Sequence, residues 1–310
     1  RRIDSGLMGS ASLETSGSKN RYSIMPSVSI NYNQGDVNAY ARAWAGTNKV
    51  KYRTEEHTDY ASGTVIDAAS DMKEQSTWAG GQAGVVYDID ERHSVGGEVQ
   101  YNYWGSKDAS GTWTERTMEQ TTRSEGDYNS DTKSHMLTAT LNYIYKLDKM
   151  GSTLKVIGDY TDSKTPRHNN YFDTTFDMLT PLIKRDSTYR NSSDSHYQLA
   201  TATLALEKVL SQKVMLKTGL KYTYNSNNNS AVYEYMADKQ WMFNNERSYD
   251  IGYTENIGAA YVIATASLGR VSLVGGLRGE YTYSDARESG VSQNYFSLFP
   301  NANFSYALDK

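Results

Sequence analysis

Apolar and polar residues alternate with a period of two along most of the chain, and helix-period stretches are nearly absent. From Tyr22 the apolar positions run Tyr22, Ile24, Val28, Ile30 and Tyr32, with Ser23, Ser27, Ser29 and Asn31 between them. The pattern recurs as Val95, Gly97, Val99, Tyr101, Tyr103, and again as Leu137, Ala139, Leu141, Tyr143, Tyr145. It returns at Leu154, Val156, Gly158, Tyr160, then at Val214, Leu216, Thr218, Leu220, Tyr222, Tyr224. Val271, Leu273, Gly275, Leu277, Gly279, Tyr281 and Tyr283 follow, and Ala302, Phe304, Tyr306 and Leu308 close the series. Weaker versions occupy about 5–15, 37–47, 76–88, 196–208 and 254–267. Together they predict about twelve strands, most of about ten residues or more. Globular strands usually have about 5–6 residues, whereas a tilted strand crossing a bilayer needs about 9–11.

The connections alternate between short and long. Short turns are predicted at Asn33-Gln34-Gly35-Asp36, Asp88 to Arg92, Leu147 to Gly151, Val209 to Gln212, and Leu268-Gly269-Arg270, where Gly, Asn and Asp suit tight hairpins. Long polar stretches at roughly 48–75, 105–133, 162–195 and 225–252, with a shorter one near 284–294, read as loops. Strict alternation gathers the short turns at one end of the sheet and the long connections at the other. Membrane barrels do this as a rule, with short periplasmic turns and long extracellular loops.

Three strands that run towards a long connection end alike: Val99-Gln100-Tyr101-Asn102-Tyr103-Trp104, Leu220-Lys221-Tyr222-Thr223-Tyr224, and Gly279-Glu280-Tyr281-Thr282-Tyr283. A Val/Leu band capped by Tyr suits a lipid-facing surface, since the ring sits in the boundary and the hydroxyl among headgroups. Tyr101, Tyr103, Trp104, Tyr222, Tyr224, Tyr281 and Tyr283 are therefore predicted as one interfacial girdle. Tyr143 and Tyr145, near the short-turn end, are predicted to belong to the second. The rival reading of these endings is a soluble sheet whose core face finishes in Tyr.

Composition fits the barrel. The 310 residues include 26 Tyr against 6 Phe, only 38% are hydrophobic, and mean hydropathy is −0.69. If only alternate residues face lipid, the others can be polar. The strand from Leu216 carries Lys217, Gly219, Lys221 and Thr223 on its second face, and that from Leu273 carries Gly276, Arg278 and Glu280. No run approaches the roughly 20 apolar residues of a membrane-spanning helix. Zero Cys excludes a disulfide scaffold and cysteine-ligated metals. The balance of 32 basic and 36 acidic residues gives no nucleic-acid footprint. The expected fold is thus all-β, an antiparallel up-and-down transmembrane β-barrel in the bacterial outer membrane, with membrane lipid as its partner. Pro26 lies inside a strand and predicts a bulge or break there. Pro300 is predicted to mark where the last strand leaves its loop.

The segment Gly275-Gly276-Leu277-Arg278-Gly279-Glu280-Tyr281-Thr282-Tyr283, followed by Tyr295-Phe296-Ser297-Leu298-Phe299-Pro300-Asn301-Ala302-Asn303-Phe304-Ser305-Tyr306-Ala307-Leu308, resembles the barrel of TonB-dependent outer-membrane receptors. It is similar in particular to the outer membrane protein beta-barrel family, in which a GLR-x-EYT strand precedes an LFP-S-x-x-x-S-Y strand. Gly6-Leu7-Met8-Gly9-Ser10-Ala11-Ser12 resembles the first barrel strand after that family's plug domain. The resemblance is tight over about the last 40 residues and architectural elsewhere. It implies a 22-stranded barrel with an N-terminal plug, energised import of a bulky ligand, and a periplasmic box contacting a TonB-type protein. Residues 1–310 would then be one barrel domain, the first half of a larger barrel, with the plug and the C-terminal strands outside it. A complete 12-stranded barrel is the alternative, since even strand numbers from 8 upwards occur.

No catalytic motif stands out, and no cofactor or metal is expected. Glu55-Glu56-His57-Thr58-Asp59 offers oxygen and imidazole donors without HExxH spacing, and reads as a solvated charged loop. His93, His135, His168 and His196 are scattered, and Gly-x-Ser-x-Gly is absent. Asp127 with Glu125, and Asp186 with Asp194, are conceivable carboxylate pairs for glycoside cleavage, but acidic residues in polar loops are expected anyway. Tyr60, Trp113, Tyr128, Tyr171 and Trp241 are the candidate extracellular ligand contacts, with Phe172, Phe176, Tyr233, Tyr235 and Phe243 nearby; packing between loops is the competing role. The expected function is ligand import by a TonB-dependent-type receptor. A plugless channel, an adhesin or structural barrel, and a soluble all-β carbohydrate-binding protein or enzyme are the alternatives.

Overall fold

The computed structural model describes residues 6–177 and 184–308; the two chain ends and the tip of the 162–195 stretch lie outside the described residues. Among the described residues there is one antiparallel sheet and no helix. Its strands are β1 (Gly6–Ser18), β2 (Arg21–Gln34), β3 (Val37–Asp59), β4 (Val65–Asp88), β5 (His93–Thr117), β6 (Thr121–Lys146) and β7 (Thr153–Asp177). Then come β8 (Lys184–Ser211), β9 (Val214–Ala237), β10 (Gln240–Phe243), β11 (Tyr249–Leu268), β12 (Val271–Ala286) and β13 (Val291–Tyr306). Each strand pairs with its chain neighbour, except that four-residue β10 hangs on β9 alone and β11 takes the next place in the sheet. β1 and β13 are each paired on one side, so the sheet has two open edges among the described residues.

A single layer has no second face to pack on. The buried hydrophobic side chains among the described residues are Ala69, Ala231 and Ala259, whereas Leu141, Leu220 and Leu298 are 68%, 57% and 57% exposed. A soluble sandwich would bury those leucines between two sheets about 10 Å apart. That reading fails, and the apolar face must be covered by something other than this sheet.

The long polar stretches are not loops. β3 to β9 run for 23 to 28 residues each, more than twice a membrane crossing, and they carry most of the 48–75 and 105–133 stretches as paired strand, while 225–252 is divided among β9, β10 and β11 with 244–248 as a turn. β3 and β4 leave only 60–64 between them, and β5 and β6 only 118–120. Polar side chains on both faces keep the ladder going through cross-strand bonds. Examples are Arg53 Nη1 to Asp71 Oδ2 at 2.9 Å, Ser124 to Thr175 at 3.2 Å, and Asn169 Nδ2 to Asn191 Oδ1 at 2.8 Å. The expected asymmetry between the ends therefore survives as tall hairpins at one end and short turns at the other.

Proline gives one match and one correction. Pairing of β2 with β3 lapses at Met25 and Pro26, then resumes at Ser27–Trp44 in the register it left at Ile24–Thr47, which is a break without a bulge. Pro300 does not mark a loop exit. It sits inside β13 opposite Leu277, with no strand on the other side among the described residues, where a ladder tolerates a missing N–H.

The short turns follow hairpin rules. Gly35 and Gly269 take φ values of 59° and 67° at the first turn position, which the right-handed twist of the flanking strands favours. The β6–β7 turn is stapled to its neighbour instead. Asp148 Oδ1 accepts from the amides of Met150 (2.9 Å) and Ser152 (3.1 Å), and its Oδ2 accepts from Lys208 Nζ (2.8 Å). Ser152 is fully buried and its Oγ accepts from the Val209 amide at 3.0 Å. The Lys208 ammonium, helped by Ser152 and the turn amides, holds the Asp148 carboxyl well below the usual carboxylate range. A group depressed in this way stabilises the fold above its unfolded value of about 4 and loses that contribution as pH falls. D148A is therefore expected to lower the thermal unfolding midpoint of detergent-solubilised protein at pH 7. The gap to the unmodified protein should narrow as pH drops below about 4; a gap that is constant down to pH 2 rules the staple out.

Candidate functional site

Strand register decides which residues share a face. Residues opposite one another across an antiparallel ladder point the same way, and the pairings carry one set unbroken from β1 to β13. This set contains Leu7, Ile30, Ala41, Ala83, Val99, Ala139, Val156, Leu204, Leu220, Val262, Leu277 and Leu298, an apolar band crossing every long strand. On β5 it runs from Val95 to Tyr103, nine residues and so roughly 20 Å of height at the usual strand tilt. Small residues hollow it at Ala202, Gly258, Ala260 and Gly279. There Val156, Leu204, Leu220, Val262 and Leu298 line a groove of about 900 Å³ with almost purely apolar walls. The band faces outward.

Eight of the nine residues expected in the girdles lie on this outward face. Tyr222, Gly258, Tyr281 and Phe296 form one cross-strand row, and Tyr224, Asn256, Tyr283 and Asn294 the next, at the border between the apolar band and the tall hairpins. Tyr222 Oη donates to Asn256 Oδ1 at 2.6 Å. Tyr101 Oη and His135 Nδ1 are 2.7 Å apart at the same border, with the Tyr103 ring 5.1 Å from the imidazole. At the short-turn end His93 stacks on Tyr145 at 4.5 Å and meets Tyr143 Oη at 2.5 Å. Trp104 departs from the expectation. It follows Tyr103 directly, so the period of two turns it inward, opposite Trp78.

The inward face is polar and closely bonded. Ser10 meets Ser29, and Ser12 meets Ser27, both at 2.8 Å. Asp159 accepts from Thr140 and Thr201 at 2.9 Å each, and Glu207 lies between Lys155 (3.5 Å) and Lys217 (3.4 Å). Tyr40 donates to Glu98, and Arg42 lies 4.9 Å over the Trp44 ring. Two glycines matter here. A Cβ at Gly80 would stand 2.5 Å from the Trp44 ring and one at Gly46 would stand 2.3 Å from the Trp78 ring, so these indoles lie flat against bare backbone.

Higher on the inward face, in the tall hairpins, Tyr128, Tyr171, Tyr189 and Tyr235 stand directly opposite one another across β6, β7, β8 and β9. Tyr128 and Tyr171 are 4.8 Å apart, and Tyr171 and Tyr189 are 4.5 Å apart with planes within 9°. Tyr128 Oη donates to Asn169 Oδ1 (3.1 Å), and Asn169 is bonded on to Asn191. The result is a row of aromatic rings beside a chain of amides, the pairing of stacking and hydrogen-bonding groups that a sugar ring fits.

The structure thus brings Tyr128 and Tyr171 together and separates them from the other candidates. Trp113 is on the outward face, with Arg123 5.3 Å over its ring. Trp241, on the β10 flap, is also outward and covers Arg190 at 4.1 Å, while Arg190 bonds Glu234 at 2.6 Å. Tyr60 stands alone of the five at a hairpin tip, half exposed. Tyr189 and Asn191 escaped the sequence reading, and Tyr235 was only a peripheral member of it. Their spacing gives no sign of alignment until the register is known.

The polar clusters come apart in the same way. Glu55, His57 and Asp59 point outward while Glu56 and Thr58 point inward and bond each other at 3.1 Å. His57 lies between Asp67 (2.6 Å) and Asp59 (3.4 Å), both exposed, and these two carboxylates raise its imidazole's affinity for a proton. Asp186 and Asp194 are eight residues apart on β8, roughly 27 Å along a strand, far beyond the separations glycoside cleavage uses. Asp127 and Glu125 are neighbours on the outward face, with Glu125 held by Arg123 at 3.0 Å.

Compared with known proteins, residues 145–310, slightly more than half of the chain, match the model of the outer membrane protein beta-barrel family. No curated protein matches the sequence. Among solved structures, the translocator domain of the autotransporter NalP from Neisseria meningitidis is 14% identical, with 99% of this chain and 90% of that one covered and a TM-score of 0.22. The toluene transporter TodX of Pseudomonas putida is 11% identical over 98% and 88%, with a TM-score of 0.31. A mutant of the ferric enterobactin receptor PfeA of Pseudomonas aeruginosa is 9% identical over 100% and 75%, with a TM-score of 0.22. Likenesses this slight say nothing about what the chain carries.

The two faces differ in what they tolerate. L141R, mid-band and outward, is expected to cost roughly 2–4 kcal/mol of stability in a bilayer. T138R on the inward face should stay within about 1 kcal/mol, because its guanidinium keeps water. Urea unfolding in lipid vesicles measures both, and equal losses would mean that the faces are misassigned.

Proposed function

Because the chain belongs to the outer membrane protein beta-barrel family, we propose that it is the wall of a TonB-dependent-type receptor importing a bulky ligand across the bacterial outer membrane. In this reading the tall hairpins stand on the extracellular side and the short turns on the periplasmic side, as in outer-membrane barrels generally. The ligand is caught high on the inward face by Tyr128, Tyr171, Tyr189 and Tyr235, and released past the polar lower wall. A TonB-type protein supplies the energy through a region outside residues 1–310. Tyr101, Tyr103, Tyr222, Tyr224, Tyr281 and Tyr283 hold the wall at the outer interface, with Tyr143 and Tyr145 at the inner one. The chain carries its ligand and does not convert it.

One observation bears most of the weight: the row of tyrosines in register across four strands, with the Tyr171 ring stacked on Tyr189 at 4.5 Å and tilted against Tyr128 at 4.8 Å, beside Asn169 and Asn191. Aligned aromatic rings give a broad surface for the apolar faces of sugar or aromatic rings, and the amides give direction. A wall that only sealed the membrane would have no use for such a row roughly 30 Å along the strands beyond the apolar band.

Cells carrying the full-length protein should take up fluorescently labelled oligosaccharides, and a protonophore should stop uptake while leaving surface binding. Y171A/Y189A should weaken binding about tenfold, since each lost aromatic contact removes about 0.5–1.5 kcal/mol. Uptake indifferent to the protonophore would exclude energised import. Unchanged binding by the double variant would exclude the tyrosine row.

A further inference from the structure

Beyond the aromatic border, the outward face carries an unexplained group of cations. Lys49 and Lys51 on β3, Lys73 on β4 and Lys107 on β5 all have outward parity and line one shallow groove of about 440 Å³. Lys51 and Lys73 stand directly opposite each other, and Lys49 and Lys107 flank Gln75 from either side. Like charges directly opposite across a ladder are destabilising. Among the described residues, none of the four has an ion pair or a side-chain hydrogen bond. One step further up, Arg53 is matched by Glu55 (2.7 Å) and Asp71 (2.9 Å). Of the three acidic residues that touch the groove, two do not face the lysines. Glu74 and Asp108 alternate to the inward face, where they accept from Tyr52 Oη and Ser106 Oγ, both at 2.7 Å. Asp131 shares the outward face and stands directly opposite Lys107, with His168 on its other side, so it offsets part of one charge of the four without forming an ion pair. The groove is open because β5 presents Gly105, Ala109 and Gly111 to the outside around Lys107.

Height says what meets this groove. On β5, Lys107 follows Tyr103 by four residues, which is roughly 13 Å along the strand and about 10 Å of rise at the usual tilt. Lysine stems lie along apolar surface while their ammonium groups reach the interface. The four ammonium groups therefore hang at the level of the outer-leaflet headgroups, on the surface that faces lipid.

We propose that Lys49, Lys51, Lys73 and Lys107 form a binding site for the phosphate groups of an outer-leaflet glycolipid, held against the outside of the wall. Two phosphates on one sugar headgroup offset the Lys51–Lys73 repulsion, with Lys49 and Lys107 closing the groove from either side. The acyl chains then lie on the apolar band below. Headgroup binding is independent of transport, since no residue of the inward tyrosine row takes part.

The test uses the full-length protein reconstituted into phosphatidylcholine vesicles with or without bisphosphorylated lipid A, and native mass spectrometry of the detergent-extracted protein to count bound lipid. K49Q/K51Q/K73Q/K107Q should reduce lipid A affinity at least tenfold, on the scale of roughly fivefold per lysine near an anionic surface. The all-arginine variant of the same four positions should retain it. K221Q, inward and distant, should change nothing. Inorganic phosphate at millimolar concentration should not displace the lipid, because the site depends on a membrane-held headgroup. If the four-glutamine variant keeps lipid A as the unmodified protein does, the site does not exist. Displacement by free phosphate alone would overturn the assignment to lipid. Should the four-glutamine protein fail to insert, the single variants K51Q and K73Q carry the test, each expected to lose affinity severalfold.

Discussion

A bilayer offers no hydrogen-bond partner to a peptide group, so every N–H and C=O that crosses it must be satisfied by the protein itself. In this chain the solution is a ladder in which strand follows strand in sequence order, joined by tight turns. Once the backbone is committed to that ladder, side chains can point only outward or inward, and alternation along each strand is forced. The apolar set from Leu7 to Leu298 occupies one side, and serine, threonine and charged residues take the other. That is why 310 residues with a 38% hydrophobic content need no interior core. Solvation by lipid replaces burial between layers.

The tall hairpins extend the same ladder beyond the membrane, where the outward constraint lapses. Both faces become polar there, and the strands hold together through cross-strand pairs such as Arg53–Asp71 and Asn169–Asn191. Continuous pairing makes these extensions stiff compared with loops. A stiff extension fixes the spacing of the tyrosine rings, as register and not loop packing sets the 4.5 Å between Tyr171 and Tyr189. Lower on the inward face, the indoles of Trp78 and Trp44 lie flat over Gly46 and Gly80, where any Cβ would collide with them.

Much of this is legible in the sequence. Period two, strand length and the Tyr endings on three strands point to the fold, and eight of nine predicted girdle residues share the outward face. Trp104 misled because an aromatic neighbour to Tyr103 reads as girdle composition, while the pleat reverses its direction. The polar stretches read as loops because polarity usually marks solvent-exposed connections, yet a two-sided solvated hairpin has the same composition. The tyrosine row was out of reach for a sharper reason. Folding the chain at a predicted turn fixes register only to within a residue or two, and a slip of one residue exchanges the faces. Tyr189 has no local mark, and it becomes meaningful only when the ladder sets it between Tyr171 and Tyr235.

The tall hairpins also bear on biogenesis. A tip such as 60–64 is preceded on its outward side by Lys49, Lys51, Arg53, Glu55, His57 and Asp59, and ionised groups of this kind cost about 2.5–3.5 kcal/mol each at the centre of a hydrocarbon layer. Carrying several such hairpins through lipid one side chain at a time is prohibitive, whereas the short turns at the other end need never cross. The hairpins that must cross are thus the costly ones, and they need a route that keeps their arms hydrated until their neighbours have paired. Once the hairpins are across, the same cost bars their return, so the difference in height between the two ends locks the orientation of the finished wall.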